Sequence, residues 1–154
     1  MNVRRILFAT DGSAEALQAA DKVAFLVRNN QETTVSIVAA LPPRPNFPAS
    51  PVLESEAERE KLLRGRAKHA VDKTARVFAA WGLPWNGRVV EDDCACTAIA
   101  RAAEDDLADL IVMSSCERLF DCVGQPRDVN LTDEVMQRAT VPVLVIPPDH
   151  PAVH

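Results

Sequence analysis

Ile6-Leu7-Phe8-Ala9-Thr10-Asp11-Gly12-Ser13 is the stretch that decides the fold. A short apolar run, Ile6 to Ala9, breaks at once into turn-forming residues. Ser13 is placed to cap a following helix, in which Leu17, Ala20, Val23, Ala24 and Val27 recur at helical spacing. Asn29-Asn30 ends that helix. Val35-Ser36-Ile37-Val38-Ala39-Ala40-Leu41 is then a second strand. Strand, tight turn, helix, strand is the unit from which parallel sheets are built.

The same alternation continues outward. Residues 42–53 hold Pro42, Pro43, Pro45, Pro48 and Pro51, which forbid a helix or a central strand and predict a long loop over a crevice. Ser55-Glu56-Ala57-Glu58 is a capping box. Leu62, Leu63, Ala67, Ala70, Val71, Val77, Phe78 and Trp81 mark a long amphipathic helix, with Gly82 as its stop. A third strand spans Pro84 to Glu91, with Trp85 and Val89-Val90 as apolar members. Ala98, Ile99, Ala102 and Ala103 define a short helix, and Leu110 to Met113 a fourth strand. Residues 114–130 are irregular. Leu131, Val135, Met136 and Ala139 belong to the last helix. Val141-Pro142-Val143-Leu144-Val145-Ile146 is the fifth strand, closed by Pro147-Pro148.

These elements predict one α/β domain over 1–148 and a frayed tail over 149–154. The expected architecture is a doubly wound five-stranded parallel sheet, order 3-2-1-4-5, with helices on both faces. In such sheets ligands bind beyond the carboxyl ends of the strands, where the strand order reverses. That point lies between strands one and four, so Thr10-Asp11-Gly12-Ser13 and the residues from Ser114 onward face one crevice.

Composition narrows the function. The chain has 154 residues, 47% apolar and 25% charged, and a net charge of -5. No basic stripe is present, so nucleic acid is not an expected partner. The first apolar run is too short for a signal peptide or a membrane span, which places the expected site of action in the cytoplasm. There the four cysteines, at 94, 96, 116 and 122, are reduced thiols.

Three pieces, in order and at matching spacing, resemble the universal stress proteins. They are the opening Ile6 to Ser13, Ala108-Asp109-Leu110-Ile111-Val112-Met113-Ser114-Ser115, and Arg138-Ala139-Thr140-Val141-Pro142-Val143-Leu144-Val145-Ile146-Pro147. The resemblance covers nearly the whole chain, and the Pro-rich insertion after strand two adds to it. It implies a homodimer with a role in stress tolerance rather than a defined reaction. Part of that family binds ATP through a glycine, two residues, a second glycine, nine residues, then glycine with serine or threonine. Glycines there let backbone N–H groups approach the phosphates, and the last pair opens a helix whose N-terminus favours negative charge.

This chain departs from that motif. Ser114 stands at the first glycine, Glu117 at the second, and Val129-Asn130 near the third, with Gly124 fitting no position. Aligned through Arg138-Ala139, the loop is about two residues longer than the motif. Glu117 puts a carboxylate where phosphate oxygens would lie, and Asp121 and Asp128 add to the field. Like charges at ~4 Å repel by about 1 kcal/mol in water and several-fold more in a partly dry crevice. Arg118 and Arg127 oppose that field without replacing a backbone cradle. The chain is therefore expected to belong to the branch that does not bind ATP tightly.

The resemblance matches Ala9, Thr10 and Val38 to positions around an adenine, Met113 likewise to an adenine-side position, and Asp11 to the nucleotide-site aspartate. Ser114, Ser115 and Asn130 complete that crevice. Asp11-Gly12-Ser13 is equally a strand-to-helix turn with capping chemistry, and the two roles are compatible. Ala9, Val38 and Met113 are also ordinary strand and core residues.

The remaining features are weighed on their chemistry. Cys94-Ala95-Cys96 is too short for the usual zinc spacing. It would also start ~14 Å from Cys116 and Cys122, two intervening strands away, which disfavours a four-cysteine metal site. Cys94 or Cys96 at a helix N-terminus is a candidate for a lowered thiol pKa and a redox role. His69 falls within the long helix, and His150 and His154 in the tail, so no Ser-His-Asp or metal-histidine constellation emerges. Asp92-Asp93 and Asp105-Asp106 read as solvated charges at helix ends. Val143, Leu144, Val145 and Ile146 form an apolar edge strand, which a second copy would cover by antiparallel pairing.

The leading expectation is thus a non-catalytic binding or regulatory module of universal stress type, without cofactor or metal, dimeric through its last strand. Two alternatives are kept. One is an adenine-nucleotide (ATP or AMP) binding or weakly hydrolysing protein with a divergent phosphate loop. The other is a thiol redox sensor.

Overall fold

Ser13 accepts a hydrogen bond from the Ala16 backbone N–H at 3.2 Å and caps α1 (Ala14–Val27), as its position after β1 (Arg5–Ala9) predicts. The computed structural model describes residues 3–41, 56–115, 119–120, 126–127 and 131–149. The elements continue as β2 (Thr34–Ala40), α2 (Glu56–Ala80), β3 (Trp85–Val90), α3 (Ala95–Asp105) and β4 (Leu110–Ser114). Then come β5 (Leu119–Phe120), β6 (Pro126–Arg127), α4 (Leu131–Arg138) and β7 (Val143–Ile146). The Pro-rich segment 42–53 and the Ser55 cap lie outside the described residues.

The main sheet runs β3-β2-β1-β4-β7, and every neighbouring pair is parallel. This is the five-stranded 3-2-1-4-5 order expected from the sequence. Alternation along β1 separates two apolar layers. Ile6 and Phe8 face α1 and α2, where Phe8 meets Phe78 edge-on with ring centroids 5.3 Å apart. Leu7 and Ala9 face α3 and α4, among Ile99, Ala102, Met113 and Val135. The inner strands are buried on both faces, which explains their unbroken apolar runs.

Helices α2 and α3 end in the same Schellman geometry. After α2, Gly82 (φ +74°) donates to the Ala79 carbonyl and Leu83 to the Phe78 carbonyl. After α3, Leu107 (φ 53°) donates to the Glu104 carbonyl and Ala108 to the Ala103 carbonyl. A leucine therefore occupies the left-handed position that glycine fills in α2.

Several details differ from the sequence expectation. The stretch expected to be irregular contains the two-residue antiparallel ladder β5–β6, too short for any apolar pattern to reveal. Helix α3 starts at Ala95, ahead of its first apolar marker, because the Cys94 sulfur caps it by accepting from the Thr97 N–H. Trp85 is 46% exposed because β3 is an edge strand, and Met136 lies on the outer side of α4. The last strand begins at Val143 rather than Val141. Pro142 has no N–H to give to a ladder, although its carbonyl accepts from Ile111. Asp149, at the start of the expected tail, ion-pairs with Lys22 and donates its N–H to Gln18. Among the described residues, no helix is long and apolar enough to cross a membrane.

Candidate functional site

The crevice begins with register. Ala9 of β1 aligns with Val38 of β2 on one side and Met113 of β4 on the other. Residues in register across a parallel sheet point to the same face, so Val38, Ala9 and Met113 make one apolar row beneath α3 and α4. All three are buried. The structure thus brings together three residues that lie far apart in sequence. They pack in that core layer, Ala9 and Met113 close to the carboxyl ends of β1 and β4.

Beyond that row the chain leaves the sheet twice, at Thr10-Asp11 after β1 and at Ser114-Ser115 after β4. Since β1 and β4 are neighbours from which the order runs in opposite directions, this is the switch point. Ser115 N–H donates to the Ile146 carbonyl at 2.9 Å, which fixes the exit from β4. Ser114 and Ser115 are half-buried.

Thr10 and Asp11 have separate tasks. The Thr10 N–H donates to the Val38 carbonyl at 2.9 Å. The Thr74 hydroxyl donates to the Ala70 carbonyl, so the 2.8 Å contact between the two threonine hydroxyls is a donation from Thr10 to Thr74. Thr10 Oγ1 then accepts from the Gly12 N–H at 3.1 Å. That relay commits the Thr10 hydroxyl to fastening the turn onto α2. Asp11 is exposed, and its Oδ1 accepts from the Ser13 N–H at 2.9 Å. A carboxylate offers about four acceptor positions, so this bond leaves Asp11 able to accept from a ligand hydroxyl or amine.

Glu117, Val129, Asn130, Asp121 and Asp128 lie outside the described residues, as do Cys116 and Cys122. Helix α4 follows them. Thr132, in its first turn, is buried, and its hydroxyl has no hydrogen-bond partner among the described residues. Asp133 and Glu134 occupy the same turn. They place negative charge where the helix dipole would otherwise welcome an anion. Thr132 was not singled out from sequence. Its only signal was a hydroxyl residue just after the aligned Val129-Asn130.

At the opposite, amino end of the strands, Asp106 corrects a sequence expectation. It is not simply a solvated charge at a helix end. Its Oδ2 lies 2.6 Å from Ser36 Oγ and 2.7 Å from Arg88 Nη1, and Ser36 Oγ is 2.8 Å from Asn86 Oδ1. Ser36, a polar residue in the middle of an apolar strand, was the available signal. Arg5, Trp85 and Asp106 line a cavity of about 480 Å³ there. Asp92 is likewise paired, with Arg101 Nη1 at 2.7 Å. Asp109 accepts the Arg4 and Arg5 backbone N–H groups at 2.9 and 3.0 Å, and these bonds hold its carboxyl below the usual carboxylate range.

Val143, Leu144, Val145 and Ile146 form β7, which is an edge of the sheet. Leu144 is partly exposed and lines a concave apolar surface with Phe25, Leu26 and Trp81. Cys94 and Cys96 are free thiols, and among the described residues no cluster of three metal-ligating side chains occurs.

Comparison with known proteins bears on this geometry. The model of the universal stress protein family matches residues 2–147. A universal stress family protein from Burkholderia pseudomallei superposes with a TM-score of 0.72 at 23% identity, covering 94% of this chain and 96% of that one. The universal stress protein from Archaeoglobus fulgidus in complex with dAMP gives 0.65 at 18% identity, covering 95% and 99%. A family protein from Arabidopsis thaliana with AMP bound gives 0.66 at 12% identity, covering 94% and 92%. At such identities the likeness shows the fold. No curated protein sequence matches the chain.

Proposed function

Since the chain belongs to the universal stress protein family, we propose that it is a non-catalytic regulatory module of the stress response whose crevice takes an adenine nucleotide with little phosphate charge, and that it does not hold ATP tightly. The observation that carries this is the pairing of an intact apolar row with an altered phosphate side. Val38, Ala9 and Met113 share one row below Asp11, which suits a flat apolar base with a polar sugar edge. The sequence from Ser114 to Asn130 lacks each phosphate-approach glycine and carries Glu117, Asp121 and Asp128. Asp133 and Glu134 add negative charge at the first turn of α4.

Two similar folds were solved with dAMP and AMP, which supports a monophosphate over a triphosphate. Ser115, half-buried where the chain leaves β4, would supply a hydroxyl donor for one phosphate group. A second copy pairing along β7 would cover Leu144 and neighbouring apolar surface, in keeping with a homodimer acting in the cytoplasm.

Mass spectrometry of small molecules released from the purified protein tests this. An adenosine monophosphate, lost in Asp11→Ala, is the expected outcome. ATP released in stoichiometric amount from both proteins would contradict it.

A further inference from the structure

Cys94 and Cys96 flank the first residue of α3, and their sulfurs lie 2.6 Å apart. A disulfide needs ~2.05 Å, so a small side-chain rotation separates the two states. The sulfurs are not equivalent. Cys94 is the N-cap and half-buried, and its sulfur accepts from the Thr97 N–H at 3.4 Å and meets Thr97 Oγ1 at 3.1 Å. Cys96 is 2% exposed and packs in the layer of Ile99 and Val135.

The geometry points to a reversible dithiol–disulfide site at the start of α3, with Cys94 as the attacking thiol, Cys96 as the resolving thiol and a peroxide as oxidant. The Cys94 thiolate attacks one peroxide oxygen. The O–O bond breaks, the departing oxygen leaves as hydroxide or alkoxide and takes up a proton, and Cys94 becomes a sulfenic acid. Cys96, losing its proton, attacks the Cys94 sulfur and expels hydroxide, which leaves as water. In sum, two thiols and one peroxide give one disulfide, one water and one alcohol or second water. Two electrons pass from the sulfurs to the peroxide.

The environment sorts the two roles. Burial pushes the Cys94 thiol up, but hydrogen bonds from Cys96 and Thr97 and the nearby Arg138 charge outweigh it, so Cys94 ionises more readily than an ordinary thiol. Burial and the neighbouring Cys94 sulfur push Cys96 up to about 11, which keeps it protonated until it resolves the sulfenic acid. A disulfide sulfur is a poorer acceptor than a thiolate. Oxidation therefore weakens the cap on the Thr97 N–H and loosens the first turn of α3. None of this depends on whether the crevice holds a nucleotide.

Peptide mapping tests the site directly. Trypsin cleaves after Arg88 and Arg101, so Val89–Arg101 carries both thiols, whereas Cys116 and Cys122 fall on other peptides. After equimolar hydrogen peroxide and alkylation, that peptide is expected unalkylated and lighter by two hydrogens than the dithiol form. Dithiothreitol should restore its alkylation. In Cys96→Ser, dimedone should trap a sulfenic acid at Cys94. In Cys94→Ser, where serine keeps a helix cap, no sulfenic acid should be trapped at Cys96. Recovery of a doubly alkylated peptide, a sulfinic acid in place of the disulfide, or cross-links only to Cys116 or Cys122 would overturn the assignment.

Discussion

Gly12 and Ala70 are in direct backbone-to-helix contact: a Cβ on Gly12 would stand 2.9 Å from the Ala70 Cβ and 3.0 Å from its Cα. Gly12 is also at φ +77°, where a side chain is strained. The turn that carries Asp11 is thus held against α2 by the absence of a side chain. Gly12→Ala is expected to destabilise the protein by about 2–4 kcal/mol, from left-handed strain and overpacking together. Urea unfolding measures this. An unchanged midpoint would show that the turn is not held by that contact.

Leu107 yields a prediction of opposite sign. It is 71% exposed and occupies a left-handed C-terminal position that Gly82 fills in α2. Little packing is lost on truncation, so Leu107→Gly is expected to stabilise by about 1 kcal/mol. A thermal melt reads the difference. A lowered Tm would contradict the strain argument.

Asp109 links pH to the foot of β1. Its folded pKa lies below the unfolded value because the carboxylate accepts two backbone N–H groups. Its contribution is therefore fully present above the unfolded carboxylate pKa, ~3.9, and is lost as pH falls through the lower folded value. Asp109→Asn should be less stable than the parent at neutral pH, and the gap should close as the solution is made acidic below ~3.9. Denaturant midpoints across that range check the sign. A gap that stays constant with pH would refute it.

The fold was legible because its signals are local and repeated. Ser13, Gly82 and the apolar runs of β1, β2 and β4 each carry their own stop or start, and 3-2-1-4-5 is a common order for a doubly wound sheet of five strands. The apolar row was legible only through resemblance, because nothing local to Val38, Ala9 or Met113 says that they share a register. What escaped depends on contacts across long sequence separations. Asp106 is a half-buried partner of Ser36 and Arg88 only because the end of α3 packs beside β2 and β3. Thr10 read as a crevice residue, yet its hydroxyl turns toward Thr74, 64 residues away. The cap at Cys94 escaped because sulfur is an uncommon capping atom.

The β7 edge predicts association. Leu144 lies on the exposed side beside Phe25, and among the described residues the outer backbone of β7 has no neighbouring strand. Sedimentation at micromolar concentration is expected to show a dimer. Leu144→Lys should shift it to monomer while leaving circular dichroism unchanged, since a charge on an edge strand blocks pairing. A monomeric parent would remove the proposed interface.

The proposed preference for an adenine nucleotide of low phosphate charge rests on Asp11 and on the carboxylates Glu117, Asp121 and Asp128, in a stretch of sequence that lacks the phosphate-approach glycines. Calorimetric titration of the purified, nucleotide-free protein with AMP and with ATP at equal ionic strength tests it most directly. Measurable AMP binding is expected, with ATP weaker by about tenfold or more, the equivalent of ~1.4 kcal/mol. Micromolar ATP affinity equal to or tighter than that for AMP would contradict it.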